Sequence, residues 1–443
     1  MNDPAPAGTP AQAAAAPAAR LLTHTFLLTW LATFALCVSY FLLLPTIPLY
    51  AAALGGTQSQ IGLVLGLYAG ASTLVRPCVA PAVDRRGRKP FIVAGAIISL
   101  VACLLYFVAA GIPPLFLVRV VHGCGAGIFM TAATALVADV APVPRRGEAM
   151  GTYGLAFNVA MAFAPAAGMA VVNRASFAAL FAVCTAVTVA ALALSATVPG
   201  GPGATGPAAP PDGQPATGAQ EIPAPAGRGH LLSRPALFPS AIMVAQTIAY
   251  GAVLSFVPIW GQVKRLDNPG TVFTAFALAM LAVRTRAGRL SDRFGRGAVI
   301  VPGLLIVSTA MILLAIAGQP WHLQAAGAVL GLGMGAVQPS LGAFLTDRAP
   351  DAERARAFAI FYGAFELGIA VGSVGFGWFL EAATFPAMWL TAAVAPALGA
   401  IASGALGPIR CQIAPGMVSH TATRASGSSM PSSRRGVSWY RYQ

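Results

Sequence analysis

The sequence predicts an all-α membrane protein, with twelve transmembrane helices arranged as two six-helix bundles related by a parallel repeat. Three observations carry that prediction: a composition too poor in charge for a soluble surface, twelve apolar stretches of spanning length, and a single offset that maps one half of the chain onto the other. Of 443 residues, 57% are hydrophobic and 9% are charged, and the mean hydropathy is +0.74. Soluble domains carry about 25% charged residues, so this chain cannot cover itself with solvated side chains. Its hydropathy equally excludes disorder for most of its length.

A helix needs about 20 predominantly apolar residues to cross the hydrocarbon. In the first half such stretches fall at about 24–48, 59–80, 91–110, 114–138, 150–172 and 176–197. In the second half they fall at about 238–260, 270–288, 298–317, 322–346, 357–380 and 384–407. The first is long enough to span and follows no charged n-region, so it reads as a retained helix and not a cleaved signal. Residues 24–198 and 237–407 are then the two bundles. The Pro-, Gly- and Ala-rich stretch 199–236 reads as a flexible cytoplasmic linker, and residues 1–23 and 408–443 as disordered cytoplasmic ends.

The formal net charge of +14 would suggest nucleic acid in a soluble protein. Here it reports topology. With the N-terminus in the cytoplasm, all but four of the 27 Lys and Arg lie on or near the inner side, the exceptions being Arg119, Arg174, Lys264 and Arg265. That is the positive-inside pattern, and it places both ends in the cytoplasm of a cell inner membrane. The expected partners are the lipid bilayer and a small-molecule substrate, with no nucleic acid, in a monomer. The six cysteines and five histidines show no metal-ligand spacing, so neither metal nor cofactor is expected.

The repeat appears by subtraction. An offset of 208 maps Asp84 to Asp292, Arg76 to Arg284, Arg85 to Arg293, Gly87 to Gly295 and Arg88 to Arg296. The same offset carries Gly123, Gly125 and Gly127 onto Gly331, Gly333 and Gly335, and Asp139, Pro142 and Arg146 onto Asp347, Pro350 and Arg354. Two similar bundles in one orientation imply a substrate site near the midplane between them.

Asp84-Arg85-Arg86-Gly87-Arg88-Lys89 follows the second span, and Gly288-Arg289-Leu290-Ser291-Asp292-Arg293-Phe294-Gly295-Arg296 follows the eighth. Glycine permits the tight turn, and a carboxylate beside arginines makes charge-assisted bonds between helix ends. These loops resemble the signature of the major facilitator superfamily, Gly-x-Leu-Ala-Asp-Arg-x-Gly-Arg-Arg/Lys. The second copy is the fuller match; the first has Ala80 and Ala82 at the leading Gly and Leu positions. The resemblance implies that Asp84, Arg85, Gly87 and Arg88, with Asp292, Arg293, Gly295 and Arg296, form cytoplasmic latches that hold one transport conformation. The plainer alternative is that the arginines only set topology.

Arg119-x-x-His122-Gly123-x-Gly125 in the fourth span resembles the superfamily motif discussed in relation to proton coupling. An intramembrane Arg costs at least about 2.5–3.5 kcal/mol, which marks Arg119 as a functional candidate. It stands near the outer end, so snorkelling also accounts for it, and His122 fits helix packing equally well. The glycines lie in an apolar helix with no preceding strand and read as helix-packing residues, not a nucleotide loop.

Glu366 stands ten residues beyond Arg356, about 15 Å into the bilayer at 1.5 Å per residue. Low dielectric penalises a carboxylate's charge, which suits a group that takes and releases a proton. A hydrogen-bonded structural Glu is the alternative. The offset pairs Glu366 with Asn158. Tyr40, Tyr68, Gln246, Tyr250 and Gln338 are candidate cavity residues, being polar or amphipathic within spans, although each also fits a helix-packing hydrogen bond.

Ala164-Pro165-Ala166-Ala167-Gly168 resembles the Gly-Pro-x-x-Gly element of antiporter members, with Ala in place of the first Gly, Gly168 at the last position and Met169 following it. Asn268-Pro269-Gly270, Arg284 and Asp347-Arg348-Ala349-Pro350 are similar to arabinose-efflux-like, drug/proton-antiporter-type permeases. Together these resemblances imply a secondary active transporter, expected to be a proton-coupled exporter of a small organic molecule. An uptake symporter or facilitator on the same fold is the alternative. No nucleophile elbow, metal spacing or acid–base cluster points to an enzyme.

Overall fold

The computed structural model describes residues 22–142, 145–199 and 234–405. Residues 200–233 of the expected linker and most of the two end segments lie outside the described residues, while 234–236, expected in the linker, are helical. Thirteen helices make up the rest. The first bundle contains α1 (His24–Leu43), α2 (Thr46–Ala53), α3 (Gln58–Arg86), α4 (Lys89–Leu105), α5 (Ile112–Val140), α6 (Arg146–Arg174) and α7 (Phe177–Thr197). The second contains α8 (Arg234–Val263), α9 (Gly270–Phe294), α10 (Gly297–Ala315), α11 (Pro320–Arg348), α12 (Asp351–Ala382) and α13 (Phe385–Ala405).

Helices are the expected solution in hydrocarbon because each backbone group must find its partner within the segment. Among the described residues ten helices are long and apolar enough to cross a membrane, counting α1 and α2 together, and two shorter apolar ones lie in α4 and α9. The first span breaks at Leu44-Pro45, where proline supplies no backbone donor, and α2 continues it. α3 runs six residues past its expected end despite Pro77 and Pro81, because a helix satisfies its own backbone in water as well as in lipid. At its other end Thr57 and Gln60 form a capping box. Large apolar side chains such as Leu74, Val108 and Trp378 are exposed, as lipid-facing residues must be.

The repeat is visible in the packing. α3 packs on α5, α4 on α5 and α7, and α1 on α6; their equivalents α9 on α11, α10 on α11 and α13, and α8 on α12 pack likewise. The glycine triplets are the contact points. A Cβ on Gly123 would stand 2.4 Å from the Tyr68 carbonyl oxygen, and one on Gly331 2.2 Å from that of Phe276. Tyr68 and Phe276 are themselves related by the offset. Close helix approach, expected for these glycines, is what they provide.

The bundles meet along α3–α12 and α6–α9. A Cβ on Gly62 would fall 2.1 Å from the Ser373 carbonyl oxygen, and one on Gly270 2.3 Å from that of Pro165. The offset of 208 relates these contacts too. Ser59 N–H donates to Glu381 Oε1 at 2.9 Å, Asn268 Nδ2 to the Ala166 carbonyl at 2.9 Å and Asn173 Nδ2 to the Asp267 carbonyl at 2.6 Å, all at the end away from the basic loops. Toward the basic end the helices part. Gly154 and Gly288 share the helix faces of Pro165 and Gly270 at about 100° per residue, yet a Cβ on either would meet nothing within 4 Å. The interior therefore opens toward the basic loops.

Candidate functional site

Glu366 stands midway along α12 and reaches across the interface to α3, where Arg76 Nη2 lies 3.3 Å from its Oε1. Arg76 also donates to Ser72 Oγ at 3.3 Å, one helical turn away. This ion pair ties the two bundles together at mid-depth, with both side chains about a quarter exposed (25% and 23%), so water reaches it from the open end. A carboxylate and a guanidinium so placed stabilise each other, and loss of either leaves the other unpaired.

Beside this pair, inside the first bundle, lies a polar–aromatic cluster. Tyr40 stacks on Tyr68 at 4.7 Å between ring centroids, Tyr68 meets His122 edge-on at 5.3 Å, and the Arg119 guanidinium lies 4.4 Å from the Tyr68 centroid. Arg119 Nε donates to the Val64 carbonyl at 3.0 Å and Nη1 to the Tyr106 hydroxyl at 3.1 Å. The same hydroxyl is 3.2 Å from His122 Nδ1. Arg119 is 2% exposed, so it does not snorkel to water; no carboxylate among the described residues pairs with it. The stacked tyrosines lie within electrostatic reach of both Arg119 and Glu366.

The remaining candidates are dispersed. Tyr250 stacks on Phe276 at 5.3 Å, with its hydroxyl 4.0 Å from Met161 Sδ across the interface. Gln246 is fully buried, and neither its amide oxygen nor its nitrogen has a hydrogen-bond partner. Gln338 and Asn158 are half-buried on α11 and α6, and neither bonds to Glu366 or to the tyrosine cluster. Gly168 brings α6 against α1, since a Cβ there would lie 2.2 Å from the Leu42 carbonyl oxygen.

At the basic end Arg88 bonds Asp84 and, through Nε at 3.0 Å, Asp139 on α5. The second copy repeats it: Arg296 bonds Asp292 and, at 2.9 Å, Asp347 on α11. Burial works against the charge on both arginines, yet these carboxylates hold each guanidinium above its ordinary pKa. Gly87 and Gly295 take φ of +85° and +91°, a left-handed turn that costs other residues energy. Arg85 is exposed, and the Arg293 guanidinium lies 5.3 Å from the Phe294 ring centroid; neither joins these carboxylates.

Sequence reasoning did not identify Arg76 as the partner of Glu366, Tyr106 as that of Arg119, or Asp139 and Asp347 as latch members. Arg76, Asp139 and Asp347 all carried a signal, because each belongs to the repeat at offset 208. Tyr106 carried none. Among the described residues no group of three or more His, Cys, Asp or Glu is placed to hold a metal ion.

The family model described as Major Facilitator Superfamily matches residues 29–272 and 267–410. The multi-drug resistance efflux pump PmrA homolog of Lactococcus lactis is 24% identical over 368 residues, 78% of this chain and 85% of that protein. The quinolone resistance protein NorA of Staphylococcus aureus is 30% identical over 127 residues, 29% of this chain and 33% of that protein. The chain thus spans only about a third of the length of several curated relatives it matches. Among solved structures, the nucleoside transporter NupG superposes with a TM-score of 0.67 at 15% identity, covering 87% of this chain and 99% of that one. With two repeated helix bundles, paired signature loops and a family match across nearly all of its described length, this chain belongs to the major facilitator superfamily of membrane transporters and is not an enzyme.

Proposed function

We propose that the protein exports a small organic molecule in exchange for protons by alternating access, with the basic end facing the cytoplasm of an inner membrane. The observation that carries this reading is the Arg76–Glu366 pair, a titratable carboxylate that joins the bundles at mid-depth in an interior open to one side. A proton on Glu366 removes the charge that holds Arg76, so protonation and the hold between α3 and α12 are linked. Deprotonation toward the cytoplasm restores the pair. The bundles 24–198 and 237–407 rock about this site, and the two latches favour one orientation. Arg119, held by Tyr106 and Tyr68, sets the positive field in which Glu366 and substrate meet, with His122 as a packing partner. The likeness to the PmrA homolog and NorA supports export over uptake.

The test is a transport assay in inverted membrane vesicles supplied with a cell extract, with the accumulated compounds read by mass spectrometry. The proposal expects at least one small organic compound to enter only vesicles that hold the protein, and only while a proton gradient is imposed. Accumulation that survives collapse of the gradient would make the protein a facilitator. Depletion of a preloaded compound driven by the same gradient would make it an uptake symporter.

A further inference from the structure

The repeat is broken at its most chemically active position. Arg76 and Arg284 are equivalent by the offset of 208, as are Gly62 and Gly270, Ser373 and Pro165, and Glu366 and Asn158. Each arginine stands fourteen residues from its contact glycine, and Glu366 and Asn158 each stand seven from the carbonyl that the glycine meets. At about 100° per residue these separations return to within about 40° of the same helix face. The repeat thus sets Arg284 on α9 against Asn158 on α6 at the positions where Arg76 on α3 meets Glu366 on α12.

The partners differ. Arg76 bonds Glu366 and Ser72 through Nη2, its buried Nε having no partner, whereas the repeat sets an amide against Arg284 in place of the carboxylate, and Met280 occupies the position equivalent to Ser72. Among the described residues Arg284 has neither hydrogen bond nor ion pair, and its side chain is exposed where α6 and α9 part. Arg284 stands four residues, about 6 Å of helix, inside the expected end of its span at 288, and the last six residues of α9 lie beyond that end. Arg119 is a second cation without a carboxylate partner among the described residues, and Glu366 is already engaged by Arg76.

We infer that Arg284 and Asn158 form the anchor for an acidic group, so that the transported molecule is an organic anion bearing a carboxylate, sulfonate or phosphate. The guanidinium offers a fork of donors matched to two anionic oxygens, and the Asn158 amide adds donors of its own. A glutamate at 158 would have completed the repeat and occupied the arginine permanently; asparagine leaves it for the cargo. The substrate class rests on the transporter reading above, while the anion site itself does not depend on proton coupling.

The experiment uses the full chain in phosphatidylcholine vesicles, which carry no anionic headgroup in excess, with Asn158→Cys as the reporter and N-acetylcysteine in the same buffer as the reference. The probes are a sulfonate-bearing and a trimethylammonium-bearing methanethiosulfonate, and modification of each thiol is read by mass. The expected result is an anion-over-cation rate preference at position 158 about tenfold above that of N-acetylcysteine, the size a nearby uncompensated charge produces at a partly solvated site. Adding Arg284→Gln should remove most of the preference, and Arg284→Lys should keep it, which separates charge from folding. A preference that is absent, that survives Arg284→Gln, or a cysteine that reacts with neither probe overturns the inference. No gradient is applied, so failure of proton coupling would leave the ratio unchanged, and failure here would leave coupling intact.

Discussion

The two interfaces between the bundles are built alike and charged differently. At α3–α12 and at α6–α9 a glycine meets a backbone carbonyl at the end away from the basic loops, at positions the repeat makes equivalent. Two helical turns further in, one interface holds the Arg76–Glu366 ion pair, and at the equivalent place in the other stand Arg284, without an ion pair among the described residues, and Asn158. What the copies share is mechanical: turns, close helix approaches, latches. What they do not share is the charge that can bind a proton or a cargo. A repeated fold permits this division, because hinges work best in matched pairs while a site needs one carboxylate that titrates and one cation left free.

Unequal effects are therefore expected where the copies differ, and equal ones where they agree. The largest effect belongs to Glu366→Gln, which leaves Arg76 without its partner and should lower gradient-driven transport by about tenfold or more in inverted vesicles. Asn158→Gln at the equivalent position should change it far less. Asn158→Glu, which completes the repeat, should reduce movement of anionic compounds about tenfold by pairing Arg284, while leaving the protein's expression and melting behaviour near normal. Equal transport by this variant would remove the distinction between the interfaces.

Smaller and symmetric effects are expected at the glycines. Gly62→Ala and Gly270→Ala each place a methyl group 2.1 and 2.3 Å from a carbonyl oxygen, an overpacking worth about 1–3 kcal/mol against the present conformation. Both should raise thiol labelling at the outer end to a similar degree; a large effect from only one would show that the two contacts are not matched. Smallest are the latches. Asp139→Asn and Asp347→Asn each remove one partly exposed ion pair worth about 0.2–1 kcal/mol, a shift of up to about fivefold between conformations, read by thiol accessibility at the basic end.

Much of this was legible in the sequence because membrane spans and repeats are linear signals. Hydropathy located the spans, and subtraction aligned Asp84 with Asp292 and Glu366 with Asn158. The depth of Glu366 followed from counting along one helix. Its partner did not, since Arg76 lies 290 residues away and only helix packing brings them together. Arg119 and Tyr106 met the same obstacle on a shorter scale, joined across two helices by a contact no spacing announces. The break between α1 and α2 and the long end of α3 were missed for another reason: an apolar stretch marks where hydrocarbon begins and ends, not where a helix does.

The central claim, that a proton on the Glu366 carboxyl drives export, is tested most directly in living cells. Cells that lack the protein, carry it, or carry Glu366→Gln at matched level would be compared for the organic compounds that accumulate in the medium. The account predicts at least one compound exported only by cells with the unmodified protein and lost when the proton gradient is collapsed. Undiminished export through Glu366→Gln would contradict it.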